Sequence, residues 1–170
     1  MAHIMSDYFK KITLKNGKKE VILSNLAEAY GFLLLFITYY SDDGGMTSEK
    51  RDVIIKELFF TLNNIGGDLN KDGKIDKEDL QIVFANSTAA VSADLFTFEQ
   101  IQENIELVCE EYFGDYHQEH QQELLRGCAR LIVSNNTITD WEKSHIEIIG
   151  EKLKLEPLVD VYLAGEKKKL

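Results

Sequence analysis

The sequence predicts an all-α protein that folds as one compact bundle of about six to eight helices. Among its 170 residues there is one proline, a residue that disfavours helix interiors. Residues 29–40, AYGFLLLFITYY, form an apolar run. This run is shorter than the roughly 20 residues that a membrane span requires, so it is typical of a buried central helix. Elsewhere the apolar residues recur at helical spacing.

The first helix is predicted over about 19–40, after a polar, lysine-rich segment. The Asn16-Gly17 pair favours a loop leading into that helix, with a short hairpin between ITLK and KKEV as the alternative. After a glycine-containing break, Thr47 or Ser48 can cap a second helix that runs to about residue 64.

A short third helix is predicted from residue 77 to about 85, and NSTAAVSADL (86–95) is predicted to be a connector. Later helices are indicated by apolar stripes that end in one long C-terminal helix. The stripes are Phe98, Ile101, Ile105, Val108 and Tyr112; Leu124, Leu125, Cys128, Leu131 and Ile132; and Ile146, Ile149 and Leu153. Before the last stripe, Thr139 and Glu142 have the spacing of a capping box.

Two helix junctions have similar sequences, SDDGGMTSEK (41–50) and SNNTITDWEK (134–143). Their likeness favours two related helical hairpins produced by duplication, although helix caps also resemble one another by chance. Residues 20–165 are therefore interpreted as one helical domain. Residues 1–19 are interpreted as a polar N-terminal segment whose start, MAHIM, resembles a tag remnant, and 166–170 as a basic tail.

Charge is distributed unevenly along the chain. The formal net charge is −10, but lysines cluster at both ends. Residues 20–165 contain 27 acidic and 11 basic residues, a net charge of −16. Such a body repels nucleic acid phosphates and attracts cations, so we expect no nucleic-acid partner.

The sequence GDLNKDGKIDKEDL (67–80) has the spacing of an EF-hand-type calcium loop. Side chains at alternate positions point into such a loop, and Gly73 permits its sharp turn. The candidate ligands are Asp68, Asn70, Asp72, Lys74 through its backbone carbonyl, Asp76 and Asp79. Ca²⁺ is the expected ion, and the alternative is an Asp/Asn-rich turn that binds none.

Three features distinguish this loop from that of a calcium sensor. Asp79 stands where the common pattern has glutamate, so Mg²⁺ is also possible. No second complete loop is present, whereas sensor loops occur in pairs. Gly66-Gly67 interrupts the entering helix, and with the closing aspartate this arrangement resembles the calcium loop of dockerin modules.

The duplicated junctions resemble the tellurite-resistance TerB family, in which a long helix, a D-G-x-hydrophobic-S/T loop and an amphipathic helix occur twice. The matching residues are Asp43, Gly44, Met46, Thr47 and Glu49 in the first half, and Ile138, Thr139 and Glu142 in the second. Asn135 and Asn136 replace the acid and glycine of the second copy. The resemblance implies an all-helical, acidic protein linked to metal or oxyanion stress and to a protein partner in a membrane-associated complex.

A second cation site at Asp42, Asp43 and Glu49 is a further hypothesis, although turn formation and helix capping also explain these residues. No signal peptide or transmembrane segment is recognised. Cys109 and Cys128 fall in apolar helical patterns. They are therefore expected to be free buried thiols, which favours a reducing, cytoplasmic location.

These observations predict a non-enzymatic helical protein that binds Ca²⁺ at residues 68–79 and takes part in a metal or tellurite-type stress response. One alternative is a metal-dependent hydrolase that uses acidic residues with His117 and His120, near Glu123. Another is a protein-interaction module in which the calcium loop is purely structural. No hydrolase triad, phosphate-binding glycine loop or activated cysteine pattern is recognisable.

Overall fold

The computed structural model describes residues 9–14, 21–39, 47–65, 67–91, 98–113, 118–134 and 138–169. Within these ranges the chain forms seven α-helices and one pair of short strands, which confirms the predicted all-α bundle. The strands are β1 (Ile12–Leu14) and β2 (Val21–Leu23); the helices are α1 (Leu26–Tyr39), α2 (Ser48–Ile65), α3 (Lys77–Ala90), α4 (Phe98–Val108, continued by a π-helical turn at Cys109–Phe113), α5 (Gln118–Val133), α6 (Asp140–Lys152) and α7 (Glu156–Lys167).

Helix α1 is the centre of the bundle. Every residue from 25 to 38 is buried, and α1 contacts α2, α3, α4, α5 and α6. No helix in the described ranges is long and apolar enough to cross a membrane. Ile105, Val108 and Tyr112 of the first predicted stripe and all members of the other two stripes lie in this core, and both cysteines are free and buried. The side chains of Phe98 and Ile101 lie outside the described part of the structure. Burial raises the pKa of Cys109 to about 12, which leaves this thiol protonated at neutral pH.

The predicted start of the first helix was wrong, because residues 21–23 are a strand. β2 pairs antiparallel with β1, with Thr13 opposite Ile22. The single O–H of the buried Tyr112 side chain is shared between two backbone carbonyls, that of Leu23 at 3.0 Å and that of Lys10, so the π-helical turn contacts β2 and the residues that lead into β1. The helix begins only after Asn25, whose Oδ1 accepts from the Glu28 N–H. Residues 15–20, including the Asn16-Gly17 signal, lie outside the described ranges.

The third helix is longer than predicted, since residues 86–90 continue α3 rather than forming a connector. Packing explains the difference. Ser87 is fully buried and its Oγ donates to the Glu28 carbonyl at 3.1 Å. A Cβ on Gly31 would lie 2.4 Å from that Oγ, so the glycine lets α1 and α3 approach closely. Small polar residues that favour turns in isolation are helical here because they fit against α1.

The predicted long C-terminal helix is two helices, α6 and α7. Lys154, between them, has a positive φ of 61°, and Pro157 lies in the first turn of α7. The buried Leu153 and Leu155 flank the break and pack into the core. The chain therefore turns back, and α7 packs against both α5 and α6. The single proline was the available signal for this break, because proline is tolerated in a first helical turn.

The first turns of α2 and α6 meet inside the bundle. Thr139 caps α6 in the predicted capping box with Glu142, and Thr47 Oγ1 accepts from the Lys50 N–H. Lys50 and Glu142 therefore occupy equivalent third positions of their helices. Their side chains are fully buried, with Lys50 Nζ 3.0 Å from Glu142 Oε2. Residues 40–46 and 135–137 lie outside the described ranges, so the duplication stays a prediction.

We expect Glu142→Gln to lower the free energy of unfolding by about 3–5 kcal/mol, because it leaves the lysine charge buried without its counter-ion. Glutamine keeps the oxygen that accepts from Thr139. The double variant with Lys50→Met removes both charges and should recover part of the loss. Urea unfolding measures the free energy of unfolding of the single and the double variant. Lys143→Met is the control, since the partly exposed Lys143 ion pairs should contribute less than about 1 kcal/mol; equal losses in Glu142→Gln and Lys143→Met would contradict the expectation.

His145 is buried beside the same helix turn. Its exposed fraction is 1%, its ring packs on Trp141 with centroids 4.2 Å apart, and its Nδ1 lies 2.8 Å from the Trp141 carbonyl. Burial lowers the pKa of His145, and the hydrogen bond to Trp141 offsets this only partly. Protonation is therefore less favourable in the folded protein than in the unfolded chain.

The stability of the protein should fall as the pH drops below about 6.5, since the unfolded chain then binds a proton that folded His145 resists. The loss should stop once the pH is below the lowered pKa of the folded state. Thermal unfolding of the wild type and of His145→Gln between about pH 8 and 5 checks this, with a flatter profile expected for the variant. Parallel profiles would assign the pH dependence to other groups.

Candidate metal centre

The predicted calcium loop connects the end of α2 with the start of α3. Helix α2 ends at Ile65 and α3 begins at Lys77. Leu69 and Ile75 are partly buried and pack against the hydrophobic core. Because both flanking helices also contact α1 and each other, the bundle fixes the two ends of the loop. Gly66 lies outside the described ranges.

Backbone hydrogen bonds to aspartate side chains give the loop its curl. Asp68 Oδ1 and Oδ2 accept from the backbone N–H groups of Asp72 and Gly73 at 3.2 and 2.9 Å. Asp72 Oδ1 accepts from the Lys74 N–H at 2.9 Å. Gly73 has a φ of +85°, the left-handed conformation that glycine adopts without a steric penalty. The predicted sharp turn at Gly73 is therefore present.

Asp79 closes the loop and is fully buried. Its Oδ1 accepts from the Leu69 and Asn70 N–H groups at 2.7 and 3.2 Å, and its Oδ2 accepts from the Asp76 N–H at 2.9 Å. Burial alone would raise the pKa of Asp79, but the backbone N–H groups of Asp76, Asn70 and Leu69 together lower it below its usual value. Asp79 is thus ionised at neutral pH, as a metal ligand must be.

Three of the predicted ligands converge. Asp68, Asp72 and Asp79 each place a carboxylate oxygen within 4.8 Å of the other two. Asp76 belongs instead to a second group of the same size, formed with Asp72 and Glu78. Asp76 Oδ1 also caps α3 by accepting from the Glu78 N–H at 3.0 Å. The sequence pattern did not single out Glu78, because its position in such a loop is normally not a ligand.

The two remaining predicted ligands lie beside these carboxylates. Asn70 Nδ2 donates to Asp72 Oδ2 at 3.3 Å and to Glu78 Oε2 at 2.8 Å, so the Asn70 amide spans both groups. The Lys74 carbonyl accepts no hydrogen bond from the residues that the structure describes. Carboxylate oxygens are ligands that Ca²⁺ and Mg²⁺ both bind, so the three convergent aspartates fit either ion, whereas Asn70 turns its amide nitrogen toward Asp72 and Glu78.

Of the hypothetical second site, Asp42 and Asp43 lie outside the described ranges. Glu49 is exposed in the first turn of α2, where its Oε2 accepts from Ser48 Oγ at 3.4 Å. An acidic side chain is favourable at that helix end without any ion. This second site stays a prediction.

His117 also lies outside the described ranges, whereas His120 lines a cavity together with Glu57 and Glu123. In the described part of the chain, the groups of three or more convergent metal ligands both lie in the 68–79 loop, so these cavity residues do not form one. Arg130 joins the two carboxylates, with Nη2 at 2.7 Å from Glu57 Oε1 and 2.9 Å from Glu123 Oε1. Sequence spacing gave no signal that Glu57 of α2 joins Glu123 and Arg130 of α5.

We expect Asp79→Asn to destabilise the protein by about 1–3 kcal/mol in the presence of a chelator, because an amide has one acceptor oxygen and leaves a backbone N–H unpaired. Urea unfolding in the chelator measures this loss apart from any effect of a metal. Asp76→Asn is the matched control, since asparagine caps helices as well as aspartate does. Equal stability of Asp79→Asn and Asp76→Asn would contradict the role given to Asp79.

Comparison of the chain with protein-family models, with curated proteins and with solved structures gives no match. The functional argument therefore depends on the side chains themselves. Their clearest convergence is that of Asp68, Asp72 and Asp79 at the junction of α2 and α3.

Proposed function

We propose that this protein binds a divalent cation, Ca²⁺ in the first place, through the loop at residues 68–79. The observation that supports the proposal is the convergence of Asp68, Asp72 and Asp79 within 4.8 Å, with each carboxylate oriented by backbone N–H groups. Like charges at that separation repel, and a divalent cation relieves the repulsion. Backbone donors that already fix the side chains reduce the ordering cost of binding.

The proposed role of the ion is structural rather than catalytic. Asp68 and Asp72 belong to the loop, whereas Asp79 belongs to the first turn of α3. An ion bound to all three would join the loop to that helix. Because α3 packs on α1 through Ser87, the ion would stabilise the bundle at the junction of α2 and α3.

The hydrogen bonds of Asp79 bear on the affinity and the choice of ion. A carboxylate oxygen has two lone-pair sites. Asp79 Oδ1 accepts two N–H groups and Oδ2 accepts one, which leaves one site for a metal without rearrangement. A closing ligand that binds through one oxygen gives fewer contacts than the usual bidentate glutamate. We therefore propose a dissociation constant for Ca²⁺ on the order of 10–100 μM and measurable competition by Mg²⁺.

The TerB resemblance extends the proposal to a metal or oxyanion stress response with a protein partner in a membrane-associated complex. This part of the proposal rests on the resemblance alone. A protein-interaction role in which the loop is purely structural predicts a partner whose capture persists in chelator. The hydrolase alternative has less support, since His120, Glu57 and Glu123 share a cavity but do not converge as metal ligands.

Saturating Ca²⁺ is expected to raise the melting temperature relative to a chelator. At an ion concentration a hundred times the dissociation constant the gain is about 2.7 kcal/mol, because the ion binds the folded form. For a domain of this size that gain corresponds to roughly 5–10 °C. Calorimetric titration with Ca²⁺ and then Mg²⁺ measures the two affinities, and elemental analysis identifies any metal retained on purification.

The paired variant Asp68→Asn/Asp72→Asn should abolish the difference between Ca²⁺ and chelator, because asparagine keeps an acceptor for the turn hydrogen bonds but removes the charges. Asp52→Asn/Glu103→Gln is the charge-matched control, since it removes two exposed acids on α2 and α4. The control should retain the full Ca²⁺ effect. A melting temperature that Ca²⁺ leaves unchanged in the wild type would refute the proposed function.

A further inference from the structure

A cavity of about 60 Å³ lies between α1, α2, the end of the π-helical turn and α5. Its aromatic walls are Tyr30, Phe60 and Phe113, and its charged or titratable groups are Glu57, Glu123 and His120. No lysine or arginine from the described part of the chain lines it. The volume is several times that of a single-water site, so an ammonium group with a few carbon atoms fits inside, and a larger apolar body can extend outward along the exposed Phe60 ring.

Glu57 lines this cavity and has an unused acceptor oxygen. Its side chain is 13% exposed, and its Oε1 accepts from Arg130 Nη2 at 2.7 Å and from the Tyr30 hydroxyl at 3.3 Å. Within the residues that the structure describes, Glu57 Oε2 accepts no hydrogen bond. Solvent can reach this oxygen, and a ligand that supplies an N–H donor can take the place of water there.

Two carboxylates line the cavity, whereas the arginines that balance their charge, Arg126 and Arg130, are not among its lining residues. Burial and the neighbouring Glu57 charge raise the pKa of Tyr30, so its hydroxyl stays protonated and donates to Glu57. Burial would raise the pKa of Glu123, but its hydrogen bond and charge interaction with Arg130 lower it below the usual value. Glu123 is therefore ionised. Arg130 holds both carboxylates in place but is not among the residues that line the cavity.

Phe60 forms an apolar wall that reaches the surface. Its side chain is 56% exposed, an unusual position for a large apolar side chain on a helix. Aromatic rings with a carboxylate form the type of site that recognises organic cations, because the ring faces and the carboxylate both attract positive charge. A neutral apolar ligand would leave Glu57 Oε2 without a donor, and an anion would face two carboxylates.

We propose that this cavity binds a small organic ammonium ion, with its N–H groups at Glu57 and Glu123 and its apolar body against Phe60 and Phe113. The site is separate from the metal loop, and its ligand is defined by a primary amine joined to a short apolar or aromatic group. The acidic body of the chain attracts such a cation over long range, an effect that salt reduces.

The test uses phenethylammonium chloride as the probe and the neutral 2-phenylethanol as its isostere, followed by amide chemical shifts of the ¹⁵N-labelled full-length chain at low ionic strength. We expect saturable shifts at residues of α1, α2 and α5 around the cavity, with a dissociation constant on the order of 1 mM. The alcohol should bind at least about fivefold more weakly, since it lacks the charge. Salt should weaken binding of the amine more than that of the alcohol.

Phe60→Ala should weaken phenethylammonium binding about fivefold or more without affecting folding, because the side chain is largely exposed. Phe59→Ala is the matched control, since Phe59 is the neighbouring phenylalanine and does not line the cavity. It should leave the affinity unchanged. Glu57→Gln should also weaken binding, and its thermal unfolding shows whether the fold is retained.

Three outcomes would overturn the proposal: no saturable shifts with phenethylammonium up to about 20 mM, equal affinity for the amine and the alcohol, or equal affinity of the wild type and Phe60→Ala. Binding of phenethylammonium to Asp68→Asn/Asp72→Asn should equal that to the wild type. Loss of binding in that variant would place the probe at the metal loop instead and would likewise overturn the assignment.

Discussion

A helix that is apolar on every face must be enclosed on every side, and α1 imposes this constraint on the whole bundle. Because its residues are buried from 25 to 38, five other helices pack around it, and its polar groups must find partners inside. Glu28, for example, accepts from the Ser24 N–H and from the side chains of Asn25 and Asn86. The backbone carbonyl of Glu28 accepts a hydrogen bond from the Ser87 hydroxyl. The hydrogen bond that this buried carbonyl of α1 requires therefore also fixes the position of α3.

The same enclosure positions both candidate sites. Helices α2 and α3 pack on α1 and on each other, so the loop between them has fixed ends and its carboxylates need little further ordering. The cavity is lined by residues of α1, α2 and α5, and Arg130, outside this lining, bridges a carboxylate of α2 and one of α5. Both candidate sites therefore lie at the margins of the core, next to α1 but not within it.

Spacing predicted the helical class, the core-facing stripes, the Thr139 cap and the curl of the loop, since each depends on residues close in sequence. The other features of the structure depend on contacts between residues that are far apart in sequence. Residues 86–90 are helical because Gly31 leaves room for Ser87, and residues 21–23 are a strand because they pair with residues 12–14, with the Tyr112 hydroxyl bound to the Leu23 carbonyl. The loop pattern identified Asp79 but not its three backbone donors, which limit its remaining capacity for a metal. No periodicity indicates that Tyr30, Glu57 and Glu123 line one cavity.

The closure of the loop by Asp79 joins residues that lie close together in the chain. Leu69 and Asp79, which this closure joins, are ten residues apart in the chain. A loop of about ten residues closes in roughly 10–100 ns, and its entropic cost is small. The pairing of Lys50 with Glu142 instead requires two distant helices to assemble. A cation would thus meet its ligands early and speed refolding as well as slow unfolding, a difference that stopped-flow refolding with and without Ca²⁺ would reveal.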